Sequence, residues 1–185
     1  MKKILSTAIV CTLVLGFLSV SDVFAVDTTK LVNKEYRITG VAKTYNSEGN
    51  YDGGGQITQG NLFFLSPGDS PAVYAYHNIA PDRYMFNPGQ YEYYCITQLG
   101  PYTTGLTTIR SELCSMDCYD ATGVTTVVSF YGACDAKIVF SSNTAFTGTI
   151  TIPDYWSPGY DYVLTLSGKF MGRYPLIPDG NERNG

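Results

Sequence analysis

The chain has 185 residues, with 12 Lys and Arg against 16 Asp and Glu, one His and 16 Tyr. Its net charge of -4 weighs against nucleic acid or an anionic membrane surface as partner, because either needs a basic face. The length suits one domain with a real core, and a single imidazole excludes any site that needs two.

The amino terminus reads as an export signal. Lys2 and Lys3 precede an apolar run from Ile4 to Val20, which ends in Ser21-Asp22-Val23-Phe24-Ala25. A basic start, a short apolar centre and small residues before a cut are the layout of a secretory signal peptide, cleaved after Ala25 with Val23 and Ala25 at the small-residue positions. The run is short of the roughly 20 residues of a spanning helix, and no basic stop follows it. Cys11 sits too early for lipid attachment. The expected product is a mature chain from Val26 onward, secreted, at the cell surface or in a periplasm, with no stable membrane insertion. Loss of Lys2, Lys3 and Asp22 makes it one charge more acidic.

Without Cys11, four cysteines remain: Cys95, Cys114, Cys118 and Cys134. An even number in an oxidising compartment reads as two disulfides. Of the three pairings, the expected one is Cys95–Cys134 across the sheets, with Cys114–Cys118 closing a small loop. Their spacing matches no zinc ribbon or finger. The surrounding segment Glu112–Asp135 carries acids but no Lys or Arg, and reads as a stapled, solvated loop.

Short alternating runs of β-branched and aromatic residues predict strands over Tyr36–Tyr45, Ile57–Leu65, Ala72–His77, Gln90–Thr97, Gly105–Arg110, Val124–Tyr131, Ala136–Phe140, Phe146–Ile152 and Tyr160–Phe170. Clusters of Gly, Pro, Asn and Asp separate them. No mature stretch shows a sustained 3.6-residue period. This pattern predicts an all-β antiparallel fold: a Greek-key, immunoglobulin-like β-sandwich, with a barrel as the alternative. One domain is expected over residues 26–177, followed by a flexible polar tail at 178–185.

A Pro-Gly turn feeding an aromatic strand occurs twice: Pro88-Gly89 before Tyr91, Tyr93 and Tyr94, and Pro158-Gly159 before Tyr160 and Tyr162. Tyr93, two residues before Cys95, stands as in a tyrosine corner. The stretch with Pro88, Gly89, Tyr91 and Cys95 also resembles the copper loop of cupredoxins. That resemblance implies copper on Cys95 with His77 upstream, but blue copper needs two His and a Cys, and position 98 is Gln98. Its metal chemistry does not carry over.

Three further features bear on function. In the loop 46–56, Glu48, Asn50 and Asp52 place oxygen at every second position before Gly53, as calcium loops do; the competing reading is a hairpin loop whose Asn, Asp and Gly satisfy turn geometry. No other cofactor is expected. Catalysis finds little support: His77 is the only imidazole for a nucleophilic device and lies in an alternating strand, while Asp69, Asp82, Asp154 and Asp161 sit beside Pro or Gly as turn formers. Exposed aromatic residues offer more. Tyr155, Trp156 and Tyr160, with Asp154, gather at the second corner, where rings can stack on sugars and a carboxylate can accept hydroxyl hydrogen bonds. Tyr74, Tyr76, Tyr91, Tyr93 and Tyr94 read as an aromatic ladder on neighbouring strands.

The expected function is therefore non-catalytic binding by an exported β domain, with carbohydrate or a surface protein as ligand. One alternative is a structural subunit of an extracellular fibre, pilus or surface layer, self-assembling through edge strands or a donated Val26–Lys34 segment. The other is a secreted hydrolase using a carboxylate pair.

Overall fold

The computed structural model describes residues 27, 30–82, 85, 86 and 91–173. The expected signal peptide (1–25), the Pro88-Gly89 turn and the expected tail (178–185) lie outside the described residues.

Nine strands follow in chain order: β1 (Lys34–Tyr45), β2 (Tyr51–Phe64), β3 (Val73–Pro81), β4 (Tyr93–Leu99), β5 (Thr103–Thr104), β6 (Thr108–Tyr119), β7 (Thr126–Ser142), β8 (Ala145–Ile152) and β9 (Asp161–Arg173). All pairings are antiparallel. β1 pairs with β2, β2 with β3, β3 with β4, β4 with β6, β6 with β7, β7 with β8, β8 with β9, and β9 returns to β1. Eight long strands thus close an up-and-down barrel, and the two-residue β5 flanks β6. Each long strand is hydrogen-bonded on both sides.

The all-β antiparallel expectation holds, but the sheet takes the barrel form instead of the sandwich. Each strand returns beside its predecessor through a short connection, so no strand crosses between two sheets as a Greek key requires. Closure needs a strongly coiled sheet. Register shifts at Arg37/Gly40, Ile57/Gln59 and Ser111/Leu113 mark irregularities of the kind that bend strands.

Alternate residues point inward. β1 buries Tyr36, Ile38, Ala42 and Thr44, β3 buries Val73, Ala75, His77 and Ile79, and β9 buries Tyr162, Leu164 and Leu166. Two aromatic clusters plug the ends. At one, the Tyr36 ring meets Phe64, Phe140, Phe146 and Phe170 at centroid distances of 5.2–5.9 Å, and its hydroxyl donates to the Asn143 carbonyl at 3.2 Å. Burial pushes that phenol up to about 12. At the other end Phe86 packs on Tyr93, Tyr155 and Tyr162. Tyr93 therefore belongs to the barrel interior.

Three expectations need correction. The segment 112–135 is no solvated loop: it is the β6–β7 hairpin with a turn at 120–125, because Cys114, Met116 and Cys118 alternate inward. The disulfide is Cys95–Cys118, whose residues face each other across β4 and β6 with Cα atoms 4.1 Å apart. Cys114 and Cys118 share one extended strand, where four residues span roughly 13 Å, too far to bridge. Cys134 lies on β7, with β6 between it and Cys95. In this structure Cys114 and Cys134 are buried thiols.

Candidate functional site

On the outward side of β1–β4 lies a groove of about 370 Å³, lined by Glu35, Gln59, Asn61, Phe63, Tyr76, Asn78 and Tyr94 together with backbone at Gly60 and His77. Strand alternation builds it. Because Gly60 and Leu62 of β2 face inward, Gln59, Asn61 and Phe63 face out; because Ala75, His77 and Ile79 of β3 face inward, Tyr74, Tyr76 and Asn78 face out. Register then sets neighbours side by side: Glu35 faces Phe63, Asn61 faces Tyr76, and Asn78 faces Tyr94.

The aromatic part is a set of near-parallel rings. Phe63 lies 5.3 Å from Tyr74 and 5.8 Å from Tyr76, with interplanar angles of 16° and 22°. Tyr74 and Tyr76 are 6.1 Å apart at 7°. Three mutually parallel rings at nearly equal distances form a triangle, so they are shingled over the sheet and not piled in one column. The series continues from Tyr76 to Tyr94 at 6.4 Å and on to Tyr119 at 6.2 Å. Burial, then the neighbouring Tyr119, raises the Tyr94 phenol, so its proton stays available for donation through the neutral range.

The polar part flanks these rings. Asn61 donates its amide to Glu35 Oε1 at 2.9 Å, and Asn78 donates to Glu92 Oε1 at 3.0 Å. These bonds fix the amide orientations and leave carboxylate and amide oxygens with spare acceptor capacity. Chemically, the groove offers apolar ring surface beside hydrogen-bond acceptors and phenol donors. Among the described residues that line it, none forms a paired nucleophile and base.

Of the expected ladder, Tyr74, Tyr76 and Tyr94 stand together here, Tyr93 points into the barrel, and Tyr91 is exposed before β4. Glu35, Asn61 and Phe63 were not singled out from sequence. The signal that finds them is the parity of outward positions once β2 is paired with both β1 and β3.

The turn between β8 and β9 carries the other aromatic candidates. Asp154, at φ 54°, accepts the Gly159 N–H at 2.6 Å, and Gly159 itself has φ 84°. This tight turn exposes Trp156 (58 %) but turns Tyr155 inward (7 %) against Phe86 and Tyr162. Burial, then the Asp52 carboxylate, lifts Tyr155 to about 12. Asp154 is exposed and Tyr160 half-buried, so the four residues present one outward ring rather than a stacking surface.

The β1–β2 turn lies beside it, with Ser47 against Gly159. Asn46 Oδ1 accepts the backbone N–H groups of Glu48 and Asn50, and the Asn50 amide donates to Glu48 at 3.1 Å. Glu48 and Asn50 are thus engaged with each other, while Asp52 lies at the start of β2. Among the described residues no group of three His, Cys, Asp or Glu side chains is placed to hold a metal ion.

His77 is in the barrel interior, 1 % exposed, facing Cys95 across β3 and β4. Among the described residues, neither ring nitrogen nor the Thr97 hydroxyl makes a well-formed hydrogen bond. Burial holds the imidazole down to about 4, and the Ala75 backbone opposes this only in part.

The fold and groove together define an eight-stranded up-and-down barrel with a polar-aromatic outer face. No family model matches the sequence, and no curated protein matches it. Among solved structures it is similar to the S-type phycobiliprotein lyase CPES from Guillardia theta, at 8 % identity and a TM-score of 0.37, over 76 % of this chain and 88 % of that one. A similarity of that size carries no functional argument.

Proposed function

We propose that this is an exported, non-catalytic binding protein whose ligand is a carbohydrate held in the outer groove. The observation that carries the reading is the joining, in one groove of about 370 Å³, of near-parallel aromatic rings with amides locked onto Glu35 and Glu92. Sugars present apolar C–H faces ringed by hydroxyls, and that pairing of surfaces is what the groove complements. The volume falls in the range of small-ligand sites. With Glu35 and Glu92 at its sides, a neutral sugar fits and an acidic one is repelled.

The test is calorimetric titration of the mature chain with neutral mono- to hexasaccharides of glucose, N-acetylglucosamine, mannose and xylose. Tyr76→Ala is expected to weaken binding about tenfold, the equivalent of losing about 1.4 kcal/mol, while Trp156→Phe leaves it unchanged. If Trp156→Phe alone abolishes binding, the ligand sits at the β8–β9 turn and the groove reading fails. Export is tested separately, by sequencing the amino terminus of protein recovered outside the cytoplasm; the expected first residue is Val26.

A further inference from the structure

The remaining two cysteines among the described residues form a second feature, outside the lining of the ligand groove. Cys114 on β6 and Cys134 on β7 are 1 % and 7 % exposed. Cys114 faces Gly132, and Leu113 faces Ala133, beside the irregularity at Ser111/Leu113. That register brings both sulfurs to the inward face, where the Cys114 thiol hydrogen-bonds to Cys134. Cys134 Sγ also lies 3.8 Å from the Ser111 carbonyl. Of the two, Cys134 keeps the larger exposed share; Cys114, its sulfur turned inward, is among the residues around a second groove of about 290 Å³, with Ser70, Pro71, Gln98, Ser115 and Tyr131.

We infer that Cys114 and Cys134 are a modification site: a thiol pair that a small disulfide oxidises to a second cross-link, completing the pairing 95–118 and 114–134. The hydrogen bond donated by Cys114 makes Cys134 the easier thiol to ionise, while burial and the same bond keep the proton on Cys114. The Cys134 thiolate attacks one sulfur of the reagent disulfide and expels its other half as a thiolate. The Cys114 sulfur, giving up its proton, then attacks Cys134 and expels the second half. One S–S bond forms in the protein and one breaks in the reagent. The two protein sulfurs lose two electrons, and the reagent becomes two thiols that take up both protons. This chemistry is independent of the carbohydrate reading.

The experiment uses the purified protein, incubated in its native state with oxidised glutathione, quenched in acid, denatured and alkylated with N-ethylmaleimide without reductant. Trypsin with an Asp-specific protease places each cysteine on its own fragment, 84–110, 111–116, 117–119 and 120–134, for mass spectrometry. The expected result is 111–116 linked to 120–134, neither fragment alkylated, and 84–110 linked to 117–119. Alkylation of 111–116 and 120–134, a stable glutathione adduct on either, or a link from either to another cysteine fragment overturns the inference.

Discussion

Acid should unfold this barrel through His77. The imidazole is fully enclosed, and burial lowers it from 6.5 to about 4. In the unfolded chain it takes a proton near 6.5; in the barrel it does not until about 4. Between those values the unfolded state binds more protons, so stability rises with pH across this window, is complete above it, and is lost as pH falls toward 4. A shift of this size corresponds to about 3 kcal/mol, a large share of the 5–15 kcal/mol of a typical domain, or roughly 6–12 °C in midpoint. The assay is urea unfolding followed by circular dichroism between pH 7 and pH 4. His77→Leu is the comparison, because it removes the imidazole together with two buried nitrogens that make no well-formed hydrogen bond among the described residues. At pH 7 the variant should be close to wild type. As the pH falls, the wild type should lose about 3 kcal/mol more than the variant. Parallel stability curves for the two proteins would show that His77 is not the titrating group and refute the argument.

Two further outcomes follow from the packing. Tyr36→Phe removes the hydroxyl that reaches Asn143 and should cost about 1 kcal/mol, whereas Tyr36→Ala also empties the space among four rings and should cost about 3–5 kcal/mol; urea unfolding at neutral pH separates the two. Gly168→Ala places a methyl group into the Phe146 ring and should destabilise by about 1–3 kcal/mol, read as a lower thermal midpoint with the disulfide intact.

Much of the strand pattern is legible in the sequence because inward residues recur at every second place. Tyr36, Ile38, Ala42 and Thr44 mark β1, and Phe146, Ile150 and Ile152 mark β8. The latter half of β6 is hidden for a physical reason: its inward residues are Cys114, Met116 and Cys118, which read as loop staples when Glu112, Asp117 and Asp120 stand among them. β7 reads as two pieces because Gly132 and Ala133 interrupt its apolar run. Closure into a barrel is a property of pairing between distant strands, and no local signal in β1 reports that β9 lies beside it. The same holds for the groove. Tyr74 and Tyr76 are visible as a pair, but their contact with Phe63, and the place of Glu35 in the lining, depend on register. Cysteine pairing fails on the same ground, since Cys95 meets Cys118 only because β4 and β6 are neighbours.

The single ring of strands also has a kinetic consequence. Seven of its eight seams join strands that follow one another closely, so each can zip as a hairpin or over a short connection. The eighth sets Tyr45 against Asp161 and Lys34 against Arg173, bringing together opposite ends of the chain. Ring closure there spans roughly twentyfold more chain than a tight hairpin, an added entropy cost of about 3 kcal/mol, which makes it the natural last step of folding. Until it forms, β1 and β9 are both bare edges, open to pairing with other chains. A newly made chain is therefore most prone to aggregate just before its final strand arrives.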